Sequence, residues 1–526
     1  MDELPARLRA IADLQTPEMR EGAGRHEYDG TTGDMSGEGV RAGLARLGGE
    51  ALEDPHDEAH ARVAEEALRC LYGELEVHRS NPLVHLGELD LAGYDRGYAS
   101  EEERRRARLD QLKAWPDAAG RAVETLDRLN APIAEALLPA ARGLAEGVPA
   151  DAPEGVRRPA LDAHAALVAH LEKAARDGDP DATLGGPALA RLMGACDGAE
   201  VDLGRLAERA DAERDRLMER LADSVSRIAP GRPPLEAARE LVRDHPGPEG
   251  VLEEARTWTR LAVDFTRERG LAPYNDGRVR VSAAPESRRW STAMMAWPGP
   301  AEDDGDSHYY ITPPDPAWPE QDREEWLEMF SATTLPAVCV HEVAPGHHSH
   351  GRALRRAPGP VRRSFFSAAF IEGWAHYAEE LCVEEGFGPY AQERIAEERA
   401  LGEPDGRERF TAAHFETGVW VEALIRVTRL AVAIGVHTGE MTVQDAARRF
   451  ASDTPLAGPA AHSEARRAVF DPTYGRYTWG KLEIQALRER ARERWAEGFT
   501  LQRFHAALLD LGAPPLGLMG TALERG

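Results

Sequence analysis

The stretch His341-Glu342-Val343-Ala344-Pro345-Gly346-His347-His348 puts imidazoles, a carboxylate and a backbone-bending pair side by side. In a zinc-hydrolase helix of the H-E-x-x-H type, two His at i and i+4 share one face and grip the metal, and the Glu is the general base. Here position i+4 is Pro345, and the next imidazoles stand six and seven residues after His341. At ~100° per residue, i+6 lies ~120° off the face of His341; at i+7 the rise of ~1.5 Å per residue leaves the side chain ~10 Å away. A regular helix cannot supply this pair of ligands, but a bulged one can. Pro345 removes a backbone N–H and pushes Ala344 out of the α region. Gly346 permits the backbone angles needed to rejoin the helix. Two looped-out residues bring His347 to the place of the second ligand, and three bring His348. His347 is the preferred ligand and His348 its alternate.

Two His leave a catalytic zinc one protein ligand short. The best source is Glu372, 31 residues after His341 and flanked by apolar Ile371, Gly373 and Trp374. An ionised Glu in such surroundings needs a cation. His376 lies one turn on, and Glu379 two turns on, facing the same way. Glu379 could hold the free nitrogen of a ligand His. The run Asp471-Pro472-Thr473-Tyr474-Gly475-Arg476-Tyr477-Thr478-Trp479-Gly480-Lys481 offers groups for an oxyanion and for an anionic substrate. Tyr477 and Tyr474 are candidate phenol donors, and Arg476 and Lys481 candidate anion holders. A donor aimed at an oxyanion contributes on the order of 3 kcal/mol. Lys481 is one of three lysines among 64 basic residues, so a lysine here stands out from an Arg default. It contacts either an anionic substrate group or a neighbouring carboxylate.

The elements that must position these groups read as helices. The first ~245 residues are rich in Ala, Leu, Glu and Arg, all good helix formers. Segments 20–50 and 145–160, rich in Gly or Pro, read as loops. Strand signals are confined to Arg278–Val281 and His308–Thr312, just ahead of the His341 helix. Beyond residue 335 the pattern is helical over 335–357, 365–386, 408–437, 442–452, 462–469 and 479–498. Pro336 suits a first helical turn. The expected fold is mainly α: a large helical body with a deep cleft and a small β-sheet beside the metal helix. It divides into an N-terminal helical region, 1–245, and a C-terminal metal-binding catalytic region, 246–526.

The chain has 526 residues and a net charge of -27. That charge argues against nucleic acid and anionic membranes, which need a basic footprint. No run approaches the ~18 apolar residues of a membrane helix. The start, Met1-Asp2-Glu3-Leu4-Pro5, has no basic or apolar leader pattern. The four cysteines, Cys70, Cys196, Cys339 and Cys382, follow no disulfide or zinc-finger spacing. A cytoplasmic protein with reduced thiols is expected, and no feature fixes its oligomeric state.

Three segments together resemble the DUF885 family, whose pattern runs H-E-x-x-P-G-H-H, then E-G-W-A-x-Y-x-E, then a late Y-x-x-G-[KQ] leading to a Leu-Arg helix. Here these are His341–His348, Glu372–Glu379, and Tyr477–Lys481 followed by Ala486-Leu487-Arg488. His308–Pro313 and Ile434–Gly439 are also similar to family segments, and the likeness spans roughly 275–490. Its members are usually described as zinc peptidases of the gluzincin type, which implies a helical fold with a deep cleft. The chain departs from the family at Asp471–Arg476, where many members carry a Pro-Gly-Gln-Ala-like stretch.

These observations favour a zinc-dependent peptidase or amidase holding one Zn2+, acting on a small peptide or small-molecule amide. Glu342 would be the base and Tyr477 the oxyanion donor. The alternative is a tailoring enzyme of small-molecule metabolism on the same scaffold, since fold does not fix function. A non-catalytic binding protein would not need a base beside a metal.

Overall fold

A computed structural model describes residues 3–285, 288–289, 291–400 and 409–526. Helices dominate, and a single three-stranded sheet interrupts them among the described residues. This is the mainly α architecture the sequence implies. No described helix is long and apolar enough to cross a membrane. Two segments expected as loops are partly helical. Ser36 caps a Gly37–Ala45 helix by accepting from the Gly39 N–H, and Glu154–Asp177 begins inside the second segment. A good cap, or a Glu in the first turn, outweighs neighbouring Gly and Pro.

The apolar residues gather in layers that do not follow a division at residue 245. Helices Glu101–Thr125 and Glu154–Asp177 enclose one N-terminal core around Leu112, Trp115, Leu167 and Leu171. A smaller cluster joins Leu8, Ile11 and Leu68 to Val361 and Phe365 of the other half. The largest core runs from Leu189 to Ala522 and crosses residue 245 without a break. Helix Leu203–Ile228 therefore packs with the C-terminal half, its Leu217 and Leu221 sharing a core with Leu424 and Val427. Those two belong to Ala412–Thr438, a helix buried on almost every side, which ends at Gly439 in the left-handed region (φ 80°). All-round apolarity is what places a helix at a centre.

The sheet has the order β1-β3-β2: Val279–Ala283 (β1) pairs parallel with Ser307–Ile311 (β3), and Ala293–Ala296 (β2) pairs antiparallel with it. The inner face of β3 carries Tyr309, wholly buried against the helix Thr334–Glu342, where its hydroxyl lies 3.7 Å from Cys339 Sγ. The sheet thus lies beside the His341 helix.

Two further helices complete the setting. Ala368–Glu384 carries Glu372, and Arg476–Trp495 carries Tyr477 and Lys481. They cross where two glycines meet. A Cβ on Gly373 would lie 2.5 Å from Gly480 Cα, and one on Gly480 would lie 2.0 Å from the Ala369 carbonyl oxygen. Only residues without side chains allow these backbones to touch.

Candidate metal centre

The helix through His341 is continuous only to Glu342, and a new one, His347–Leu354, begins five residues later. The hydrogen-bond ladder shows how they join. Val343 N–H still bonds the Cys339 carbonyl, but Gly346 N–H reaches Val340 (3.1 Å) and Ser349 N–H reaches Val343 (3.3 Å). The step of four has become six, so two residues are looped out. The Ala344-Pro345 peptide is cis, and the Pro345 carbonyl accepts from Trp374 Nε1 (2.9 Å), which ties the loop to the Glu372 helix. Gly346 permits the backbone angles that rejoin the helix: its φ of −70° with ψ of −133° lies outside the α and β regions, and a Cβ there would lie 1.8 Å from the His341 carbonyl oxygen.

The loop turns His347 toward His341, with ring centroids 4.7 Å apart and planes at 86°. Glu372 Oε2 lies 3.7 Å from His341 Nε2 and 3.5 Å from His347 Nε2, and one ligand atom from each of the three residues falls within 4.8 Å of the others. Tetrahedral zinc with bonds of ~2.1 Å needs ligand atoms ~3.4 Å apart. The separations are too long for good hydrogen bonds and suit a small cation between the three groups. His348, the alternate ligand, is not part of this group: it is buried, and its Nδ1 bonds Ser307 Oγ at 2.9 Å.

Behind the three stands Glu379, fully buried. Its Oε1 accepts from His341 Nδ1 (2.5 Å), which leaves Nε2 of that ring free to face the site. Its Oε2 takes Arg426 Nη1 (3.1 Å) and lies 3.3 Å from His376 Nδ1. Burial alone would raise the Glu379 carboxyl; the Arg426 charge and the two imidazoles outweigh it and hold the group well below the usual carboxylate range. Burial and Arg426 push the His341 imidazole down, but the nearby Glu372 carboxylate and the hydrogen-bonded Glu379 prevail and lift it to about 9. Burial, then the Lys481 charge, depress His376 to about 3. His376 faces Glu379, not Glu372, and its Nε2 has no partner among the described residues.

Glu342 is 8% exposed, and among the described residues no group hydrogen-bonds its carboxylate. Its charge is felt at Tyr309 and Cys339, both pushed up mainly by burial. The late motif divides. Tyr477 is half-buried, its ring ringed by the guanidinium groups of Arg429 (5.3 Å), Arg476 (5.8 Å) and Arg426 (5.9 Å). Arg476 forks onto Asp471 (2.6 and 2.9 Å), and its charge acts together with that of Glu372. Tyr474 is wholly buried, and its hydroxyl donates to the Glu464 carbonyl (3.2 Å), so it packs and does not face the site. Lys481 is also wholly buried, with Nζ 2.5 Å from Glu213 and 3.3 Å from Glu380. Of the two contacts expected for Lys481, the neighbouring carboxylate is the one made; a substrate role for this ammonium is withdrawn.

Arg426 was not singled out in the sequence, although a signal exists. Glu422, Arg426 and Arg429 mark one stripe, at i, i+4 and i+7, on an otherwise apolar helix.

The DUF885 pattern, described as bacterial protein of unknown function, matches residues 17–523. The chain belongs to the DUF885 family. No curated protein matches it. Two solved structures share the fold of this DUF885 chain over nearly its whole length. One is a proposed lipoprotein of unknown function from Shewanella oneidensis (18% identity, TM-score 0.73, covering 99% of this chain and 98% of that one). The other is a proposed lipoprotein from Colwellia psychrerythraea (15% identity, TM-score 0.75, 99% of each chain). An M32 carboxypeptidase from Deinococcus radiodurans R1 aligns at a TM-score of only 0.40 and 13% identity, over 98% of this chain and 92% of that one. The lipoprotein descriptions stand against a cytoplasmic placement, and that expectation is withdrawn.

Proposed function

We propose that this DUF885 protein is a zinc-dependent hydrolase that cleaves amide bonds in peptides or small-molecule amides. The observation that carries the reading is the convergence of His341, His347 and Glu372 ligand atoms within 4.8 Å, next in sequence to a buried carboxylate, Glu342, that has no hydrogen-bond partner among the described residues. A zinc ion held there would polarise a carbonyl and acidify water. The chain's own residues have separable parts. Glu379 fixes the His341 ring so that Nε2 points inward. Glu342 takes a proton from water as its oxygen adds to the carbonyl carbon, and returns that proton to the leaving nitrogen. Tyr477 offers its hydroxyl to the oxygen that gains charge, and the three guanidinium groups around its ring favour a charged transition state.

The test is turnover of a peptide library by protein supplied with zinc, repeated with Glu342→Gln. The amide keeps the shape of the carboxylate but cannot accept the proton. Rates should fall by ~10²–10⁴ while zinc content stays unchanged. Parent-level turnover by the variant would remove Glu342 from the chemistry.

A further inference from the structure

We infer that Arg426 is a positioning residue that sets the His341 ring through Glu379 and the Tyr477 ring directly. This inference rests on the zinc reading only for its consequence, not for its geometry. Arg426 lies inside the Ala412–Thr438 helix, 6% exposed. Its Nη1 donates to Glu379 Oε2 at 3.1 Å, Nη2 lies 3.3 Å from Glu422 one turn back, and its guanidinium carbon stands 5.9 Å from the Tyr477 ring centre. Nε has no partner among the described residues. One rigid fork thus meets the carboxylate that orients a candidate ligand and the ring that carries the candidate oxyanion donor.

The geometry explains why the residue is Arg. Glu379 gives Oε1 to His341, so Oε2 must be held or the carboxylate can rotate about its terminal bond. His376 lies 3.3 Å from Oε2, a weak restraint, whereas the Arg426 contact is charge-assisted. A lysine could reach Glu379, but a point ammonium cannot also pair Glu422 and lie over Tyr477. The burial of a cation so deep in an apolar helix costs stability unless its partners are fixed, so the Arg in turn demands Glu379 and Glu422.

The experiment compares wild type with Arg426→Met and Arg426→Lys. Two readouts are taken: zinc affinity by competition with a chromophoric chelator, and the far-downfield proton resonance of the short His341–Glu379 hydrogen bond in metal-free protein. Arg426→Met should weaken zinc binding ~10–100-fold, as loss of a residue that orients a ligand does, and should shift or broaden the resonance. Arg426→Lys should restore zinc affinity to within a few-fold of wild type yet leave kcat lowered, because Tyr477 loses its neighbour, with KM little changed. A folded Arg426→Met with wild-type zinc affinity and an unmoved resonance overturns the inference. If wild type itself binds no zinc, the zinc reading fails, and the resonance alone decides for or against Arg426.

Discussion

His347 stands beside His341 and Glu372 because two residues before it are removed from the helical count. The pair Pro345-Gly346 makes that subtraction, the first by lacking an N–H and the second by lacking a Cβ where the His341 carbonyl comes within 1.8 Å. His347→Ala should therefore lose zinc from a site left with one imidazole and one carboxylate. His348→Ala should keep zinc, because its ring bonds Ser307 instead; it leaves the Ser307 hydroxyl unpaired, at a cost to stability of ~1–3 kcal/mol. Titration of both variants with zinc checks this, and zinc retained by the first but lost by the second would reverse the assignment. At this scale the sequence was readable for residues whose neighbours impose geometry, as at His341–His347. It was less so for Lys481, whose rarity marked it without saying what it meets. Its partner Glu213 lies 268 residues away in a segment that carries no motif.

The helix pair Ala368–Glu384 and Arg476–Trp495 fixes how far Tyr477 stands from Glu372, and the spacer is the Gly373–Gly480 contact. Adding one methyl at Gly480 must move the Ala369 carbonyl, 2.0 Å from the new carbon. Overpacking of this kind costs ~1–3 kcal/mol. Gly480→Ala should lower the melting temperature and, by displacing the Tyr477 helix, reduce kcat more than zinc content. Equal Tm and kcat to wild type would show that the helices part freely. Element positions were largely legible, since the expected helices 365–386, 408–437 and 442–452 correspond to Ala368–Glu384, Ala412–Thr438 and Val443–Asp453. The expected 335–357 helix is divided into Thr334–Glu342 and His347–Leu354 at the Pro345-Gly346 bulge that the motif implies. The loop expected at 20–50 failed for a local reason, the Ser36 cap. That two glycines mark a helix crossing was invisible, since Trp-Gly and Glu-Gly also suit turns.

Across the whole molecule the charge economy of the interior sets acid stability. Burial above all depresses seven histidines, His60, His350, His376 and His505 to about 3 and His56, His85 and His348 to about 4. Each is well below the unfolded value of ~6.5. Below that value the unfolded chain takes up protons that the folded chain refuses, so stability is present above ~6.5 and is lost as pH falls toward the folded values, at up to ~1.4 kcal/mol per unit for each group. Burial raises the Glu88 and Asp197 carboxyls, to about 7 and about 6, and these act in the opposite sense because the folded chain holds their protons. The depressed imidazoles outnumber the raised carboxyls, which leaves a net loss. The melting temperature should fall steadily between pH 6.5 and pH 4, and a flat profile over that range would contradict the neutral burial of these imidazoles. The fold class was legible from composition. Helix Leu203–Ile228 belongs by sequence to the N-terminal half and by packing to the C-terminal one, and only long-range contacts reveal this. The cytoplasmic expectation rested on the first residues and the cysteines, and the lipoprotein descriptions of the whole-length structural neighbours overturn it.

Zinc content is the measurement that bears most directly on the proposed site. Protein purified without tag or chelator and equilibrated with zinc should hold about one ion per chain by elemental analysis, as a three-ligand site requires. The His341→Ala, Glu372→Gln double variant, folded by circular dichroism, should hold essentially none. Zinc retained by that variant at the wild-type level would place the metal elsewhere and contradict the assignment of His341, His347 and Glu372.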